Sequence, residues 1–136
     1  MMEASTISQT PLRRALLVDA AATAAMGQLL AAGAGVLEGL LGIPAGLLRW
    51  AGMVLVPFAA VLAYLGMRPR ISPRAAYALI GCNVLWAADS FLLLASGWLE
   101  PTALGIAFVA AQGAAVGLFA WLEYAGVRRA GSLGAA

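Results

Sequence analysis

Three polar side chains within long apolar runs have the residue types and spacing for chemistry inside a membrane. Gln28, Asp89 and Gln112 lie at similar separations from the nearest arginine that flanks their run. With a helical rise of about 1.5 Å per residue, all three lie roughly 21–24 Å from the arginines. An ionised carboxylate at this depth is costly unless it is protonated, paired or facing water. Asp89 is therefore either a proton or cation site, or a neutral acid that fixes helix register. The second role would use hydrogen bonds to Gln28, Gln112 or Ser90.

Neighbouring residues extend this group to a candidate intramembrane polar site. Trp86 shares a helical stripe with Asp89 and lies far from either expected membrane interface. Asn83 and Ser90 lie along a neighbouring stripe of the same helix. The complete predicted site consists of Gln28, Asn83, Trp86, Asp89, Ser90 and Gln112.

Two further acids, Asp19 and Glu123, lie nearer the arginines, at a depth of roughly 7–8 Å. We expect both at the inner rim of the membrane, paired with nearby arginines. Thr23 and Asn83 share an intermediate depth of roughly 13 Å. Asp19 and Gln28 point in opposite directions on one helix, so the pattern does not predict a single polar channel.

The residues that the sequence lacks exclude several chemistries. The chain has no histidine and one cysteine, Cys82. Histidine-held haem, histidine-ligated zinc or copper, thiolate clusters and internal disulfides therefore lack ligands, and we expect neither a metal nor a cofactor. A histidine general base is excluded, and no glycine-rich phosphate loop follows a strand. The sequence thus predicts a protein without enzymatic activity.

Composition indicates that these helices lie in lipid. Hydrophobic residues make up 63% of the 136 residues and charged residues 10%, whereas about a quarter of a soluble domain is charged. Four apolar runs can each cross a hydrocarbon layer of about 30 Å. The predicted spans are residues 15–36, 47–67, 75–99 and 102–124. They form one transmembrane domain over residues 13–129, between flexible tails at residues 1–12 and 130–136.

The first span also resembles a secretory signal, because Arg13 and Arg14 precede an apolar run. The run is long for a signal core, and it contains Asp19 and Gln28. A retained membrane span is therefore the favoured interpretation.

The arginines predict the orientation of the chain. Seven of the eight fall on one side of the four-span pattern, and positive residues favour the cytoplasmic side. Abundant Ala, Gly, Leu and Arg without Lys is typical of a GC-rich bacterial genome, so we expect a cell inner membrane with both termini in the cytoplasm.

The arginines expected to contact lipid headgroups are Arg68, Arg70, Arg74, Arg128 and Arg129. The net charge of +2 is not typical of nucleic-acid binding.

The predicted fold is an all-α bundle of four transmembrane helices, with a weak repeat at an offset of 60 residues. Tyr64, Gly66 and Arg68 match Tyr124, Gly126 and Arg128. Two similar helical hairpins produced by duplication would explain the repeat. Helices that end in similar residues at one membrane interface would explain it equally well.

Two functions of different classes fit this sequence. The first is a non-catalytic membrane module, either an accessory or assembly subunit or a bundle that binds lipid or another apolar ligand. Its partners would be the bilayer and another membrane protein or a second copy of the chain. The alternative is a small transporter or channel coupled to protons or cations through Asp89. Short loops and the small residues Gly27, Ala31 and Gly35 favour the first, and the mid-depth polar residues favour the second.

Thiol labelling tests the orientation. In a Cys82→Ala background, we expect Arg70→Cys to react with a membrane-impermeant maleimide only after the cells are opened, because residue 70 lies in the arginine-rich middle loop. Trp98→Cys, on the opposite side, is the matched control and should react in intact cells. Labelling of position 70 in intact cells would contradict the orientation.

Overall fold

The computed structural model consists of four helices joined by short turns. It describes the backbone of residues 2–135 and the side chains of residues 9–130. The helices are α1 (Met2–Leu41), α2 (Ala45–Met67), α3 (Pro73–Ser96) and α4 (Ala103–Ala135). Each contains a stretch that is long and apolar enough to cross a membrane, and these stretches are Gln9–Leu41, Ala45–Met67, Pro73–Ser96 and Ala103–Ala130. The prediction of an all-helical protein with four apolar spans is confirmed.

The helices form a ring in the order α2, α1, α4, α3, with one open side. Helix α1 packs along both α2 and α4, and α4 also packs along α3. Helices α2 and α3 scarcely touch, although a short loop connects them. We call the end of the bundle with this loop and the arginines near both termini the arginine end, and the opposite end the far end. The side between α2 and α3 is the one opening in the ring.

Apolar side chains fill two cores and also cover the outer surface. Leu12, Leu16 and Leu62 belong to the core at the arginine end, and Leu30 and Leu41 belong to the core at the far end. Many large apolar residues are nevertheless exposed on the outside of the bundle. In water such a surface would be a strong drive to aggregate, whereas lipid tails solvate it without cost.

The predicted N-terminal tail is wrong for residues 9–12, because α1 begins at Met2 and continues through them. Leu12 is buried, and the Gln9 amide both donates to the Ile71 carbonyl, at 3.3 Å, and accepts from the Ile71 N–H, at 3.4 Å. Arg13 donates to the carbonyl oxygens of Gly66 and Arg68. These contacts hold the start of α1 against the α2–α3 loop, which the sequence pattern could not indicate.

Two other predicted boundaries also differ from the structure. Helix α3 ends at Ser96 and not at residue 99, because Gly97 adopts a left-handed conformation with φ of 78°, which glycine allows without a steric penalty. Helix α4 begins at Ala103 and continues to Ala135, through residues 130–135 of the predicted C-terminal tail.

Helices α1 and α2 approach each other closely through small residues. A Cβ atom on Gly52 would lie 2.5 Å from the Ala31 nitrogen and the Gly27 carbonyl oxygen, which are both backbone atoms. A Cβ atom on Gly27 would lie 3.0 Å from the Val56 side chain. The predicted small-residue packing surface is therefore present at Gly27 and Ala31, but Gly35 has no such neighbour within 4 Å.

The two turns at the far end are joined to each other. The Thr102 N–H donates to the Leu41 carbonyl at 2.9 Å, and the Thr102 hydroxyl donates to the Leu40 carbonyl at 2.7 Å. Gly42 has a positive φ of 71° and packs against the Thr102 backbone. The end of α1 is thus held against the start of α4, which leaves α2 and α3 on opposite sides of the opening.

Gly52→Ala should destabilise the bundle by about 1–3 kcal/mol, because the added methyl group meets backbone that cannot move independently. The free energy of unfolding in mild detergent measures this effect. Gly35→Ala is the matched control and should leave stability unchanged or slightly improved, since its Cβ enters open space. Equal stability of the two variants would contradict the close α1–α2 contact.

Candidate functional site

A cleft opens between α2 and α3 on the open side of the ring. Its cavity has a volume of about 310 Å³. Its lining is mostly apolar, with polar groups supplied by α3 and α4. The lining includes Trp50 and Val54 from α2, Trp86, Asp89 and Ser90 from α3, and Gln112 from α4. Cavities of this size are typical of small-molecule sites.

A hydrogen-bond network fixes the polar wall of the cleft. The Trp86 indole N–H donates to the Gln112 side-chain oxygen at 3.0 Å. The Gln112 amide donates to the Ser90 hydroxyl at 2.8 Å, and that hydroxyl donates to the Trp86 carbonyl, also at 2.8 Å. Trp86, Ser90 and Gln112, which the sequence places in the candidate polar site, are therefore brought together. The network holds the indole ring in a fixed orientation beside the cleft.

Asp89 lines the same cleft, but it does not join the network. Its side chain is exposed and has no hydrogen bond to any residue that the structure describes. The hydrogen bonds expected from Gln28, Gln112 or Ser90 to Asp89 are therefore absent from the described residues. Gln28 is also exposed, elsewhere on the bundle surface. Asp89 and Gln112 thus border one cleft, whereas Gln28 at equal depth does not, because depth does not determine the direction in which a side chain points.

A second polar cluster lies in the centre of the bundle. The Asn83 amide donates to Asp19 Oδ2 at 2.7 Å and to Glu123 Oε1 at 3.0 Å. The Thr23 hydroxyl donates to Asp19 Oδ1 at 2.9 Å. Asp19 is 1% exposed and Glu123 is fully buried. One amide group from α3 thus connects the two carboxyl groups, which come from α1 and α4.

The expected pairing of Asp19 and Glu123 with arginines at the rim is wrong. Neither forms an ion pair within the part of the chain whose side chains are described, and their partners are Asn83 and Thr23. The reason is the direction of the α1 face that carries Asp19. Leu12, Leu16, Asp19 and Thr23 follow one another at intervals of three or four residues and are all buried. This stripe was a signal in the sequence that Asp19 faces the interior.

Two small cavities lie between the central cluster and the cleft. One, of about 90 Å³, is lined by Asp19, Thr23, Trp86 and Gln112, among others. The other, of about 160 Å³, is lined by Thr23, Asn83 and Trp86, among others. Trp86 borders both cavities and the cleft. The indole ring therefore forms part of the wall of all three spaces.

The five arginines predicted to contact headgroups are all exposed. Arg68 donates to the Tyr64 hydroxyl at 2.9 Å, and Arg128 donates to the Tyr124 hydroxyl at 3.1 Å. Both guanidinium groups also lie over the ring of the same tyrosine. The two matching segments of the sequence repeat thus make the same local contact, as either duplication or similar interface chemistry would produce.

The chain has no match among protein-family models, curated proteins or solved structures.

Asn83→Ala should destabilise the protein by about 1–3 kcal/mol, because two buried carboxyl groups lose the amide that donates to both. The free energy of unfolding in detergent or bicelles measures the loss. Gln28→Ala removes a comparable amide that is exposed, and this control should change stability little. A similar effect of both substitutions would argue against the central cluster as a structural link.

Proposed function

We propose that this protein is a small, non-catalytic, multi-pass membrane protein that binds an amphipathic ligand in the α2–α3 cleft. The arginine distribution supports an inner membrane with both termini in the cytoplasm. The observation that carries the proposal is the cleft itself, an apolar opening between two helices that scarcely touch, with oriented polar groups on one wall.

The residues in the cleft favour a lipophilic ligand with a cationic head. Trp50 and Trp86 provide aromatic faces, which attract cations. The Asp89 carboxyl group provides the complementary charge, and it is exposed and not engaged by another described residue. Apolar residues such as Val54 and Leu93 would cover the body of the ligand. A lipid acyl chain would use the apolar walls but leave the carboxyl group without a partner.

A second candidate function is transport of such a ligand in exchange for protons or cations. The exposure of Asp89 in the cleft favours it, because a carboxyl group open to one side can exchange one positive charge for another. Binding and transport would use the same site, so a measurement of ligand binding tests the step that they have in common.

The accessory-subunit interpretation is supported by a different residue. Gln28 is exposed on the predicted lipid face at mid-depth, where an amide without a partner is costly. A helix of another membrane protein, or of a second copy of this chain, would satisfy it. Gln28→Leu should then weaken that association without changing the cleft.

Binding of tetraphenylphosphonium to the protein in lipid nanodiscs tests the proposed function. Equilibrium dialysis should show saturable binding above that of empty discs. Asp89→Asn should weaken the affinity about tenfold, which corresponds to about 1.4 kcal/mol for a lost charge contact in a partly desolvated site. Glu100→Gln, at an exposed acid outside the cleft, should leave the affinity unchanged.

The oppositely charged tetraphenylborate has a similar size and shape and serves as the ligand control. It should bind more weakly than tetraphenylphosphonium to the wild type. Equal binding of both ions, or an affinity for the cation that Asp89→Asn does not change, would contradict a cationic ligand in this cleft.

A further inference from the structure

The central carboxyl pair, Asp19 with Glu123, contains a buried atom that the fold leaves unsatisfied. Among the described side chains, Glu123 Oε2 is the one buried polar atom without a hydrogen-bond partner. Its residue is fully buried, and the Asp19 carboxyl group is its neighbour, because one Asn83 nitrogen donates to both at 2.7 Å and 3.0 Å. A buried acceptor without a donor is rare in folded proteins and requires a reason. Here a second acceptor lies beside the first.

Charge balance explains what such a pair needs. The donors given to the two carboxyl groups are the Asn83 amide and the Thr23 hydroxyl, and both are neutral. Two ionised carboxylates at this position would repel each other at short range in an apolar medium. One bound proton removes one negative charge and turns one acceptor into a donor for the other. A single proton therefore removes the repulsion between the two carboxylates and can also give Glu123 Oε2 a hydrogen-bond partner.

We propose that the Asp19–Glu123 pair is a proton-binding site, and that it releases its proton when a cationic ligand occupies the α2–α3 cleft. The second half of this proposal rests on the proposed function, whereas the first half does not. The exchange is balanced in charge, since one proton leaves the pair for solvent as one positive charge enters the cleft. No covalent bond other than the O–H bond changes.

A proton fits this site better than a metal cation. Asn83 directs N–H groups, not its carbonyl oxygen, towards both carboxyl groups. An N–H donor would repel a bound cation, whereas it stabilises a carboxylate that shares a proton. The described residues also contain no group of three or more acids or thiols that could hold a metal ion.

Few other titratable groups face the pair. Helix α3 contributes the neutral Asn83, and Cys82 lies on the wall of the adjacent cavity of about 160 Å³. Helix α2 presents the apolar side chains Leu55 and Phe58 to that cavity. Towards the arginine end, Tyr77 of α3 packs edge-on against Tyr124.

The nearby arginines are occupied elsewhere. Arg13 donates to carbonyl groups at the end of α2, and Arg128 donates to the Tyr124 hydroxyl. Tyr64 of α2 is exposed and accepts from Arg68. Within the described bundle, Arg13, Arg68 and Arg128 thus have hydrogen-bond partners other than the carboxyl pair.

The carboxyl pair and the cleft are close in space, since Trp86 borders both the cleft and a cavity that Asp19 lines. Asn83 and Asp89 are six residues apart on α3, which is roughly 9 Å along the helix axis. Two charges about 10 Å apart in a protein interior influence each other's binding about tenfold. A cation in the cleft would thus favour the ionised form of the pair, and the proton-loaded pair would weaken cation binding.

Infrared difference spectroscopy without any ligand tests the proton site alone. In the full chain in nanodiscs, raising the pH should remove a C=O stretching band of a protonated, buried carboxyl group. The band should be missing in Glu123→Gln and in Asp19→Asn, and it should remain in the controls Asp89→Asn and Glu100→Gln. Its persistence in both Glu123→Gln and Asp19→Asn would overturn the assignment. A band that sodium removes at constant pH would show a cation site and would also overturn it.

A variant that keeps both acids covers the case in which neither substitution yields folded protein. Thr23→Val removes the hydroxyl that donates to Asp19 and leaves both carboxyl groups in place. The band should then disappear at a higher pH than in the wild type, because the ionised form has lost a donor. An unchanged transition in folded Thr23→Val would contradict the location of the proton.

The pH dependence of tetraphenylphosphonium binding tests the coupling. The wild-type affinity should rise with pH, by at most about tenfold per pH unit for a single released proton. Folded Glu123→Gln should bind the probe with an affinity that changes little over the same range. Equal pH dependence in the wild type and in Glu123→Gln would overturn the coupling. A Glu123-dependent infrared band without probe binding would instead leave the proton site standing and refute the proposed function.

Discussion

The Asn83 amide between two buried carboxyl groups is the contact that organises this bundle. In lipid, apolar side chains gain little by leaving the solvent for a neighbouring helix, so close packing and polar contacts decide which helices associate. The single amide group of Asn83 in α3 donates hydrogen bonds both to Asp19 of α1 and to Glu123 of α4. Helices α1 and α3 lie diagonally across the ring, and this amide connects them through the centre.

The cleft follows from the uneven distribution of these contacts. Helix α2 is held to α1 by the close approach at Gly27 and Gly52, whereas α3 is held by its polar contacts with α1 and α4. No comparable contact joins α2 to α3 within the described bundle. At the far end, the link between Leu41 and Thr102 holds α1 to α4 and leaves the same side open. The cleft beside Trp86 is thus open because the glycine contacts join α2 only to α1 and the polar contacts join α3 only to α1 and α4.

The sequence predicted the number of helices, their apolar character and the depth of the polar residues, because these follow from composition and helical rise alone. It also placed Thr23 and Asn83 at one level and Asp19 and Glu123 at another, and the structure joins these four residues. Depth alone did not show that Gln28 lies outside the cleft that Asp89 and Gln112 both border. Each helix can rotate about its axis, and packing decides that rotation. Only the buried stripe that contains Leu16 and Asp19 carried information about direction.

The two acidic sites have complementary properties that neither would have alone. Asp89 is accessible from the cleft, so it can contact a ligand. It has no hydrogen bond to another described residue through which this contact would affect the rest of the bundle. The Asp19–Glu123 pair is shielded from direct contact, yet its hydrogen bonds extend to three helices. A change in its charge would alter the Asn83 contact that holds α3 in place, and α3 forms one side of the cleft. A cation in the cleft, beside Trp86, would therefore do more than change the charge of the carboxyl pair. It would also affect the position of α3, because Asn83 both donates to the pair and holds this helix in place.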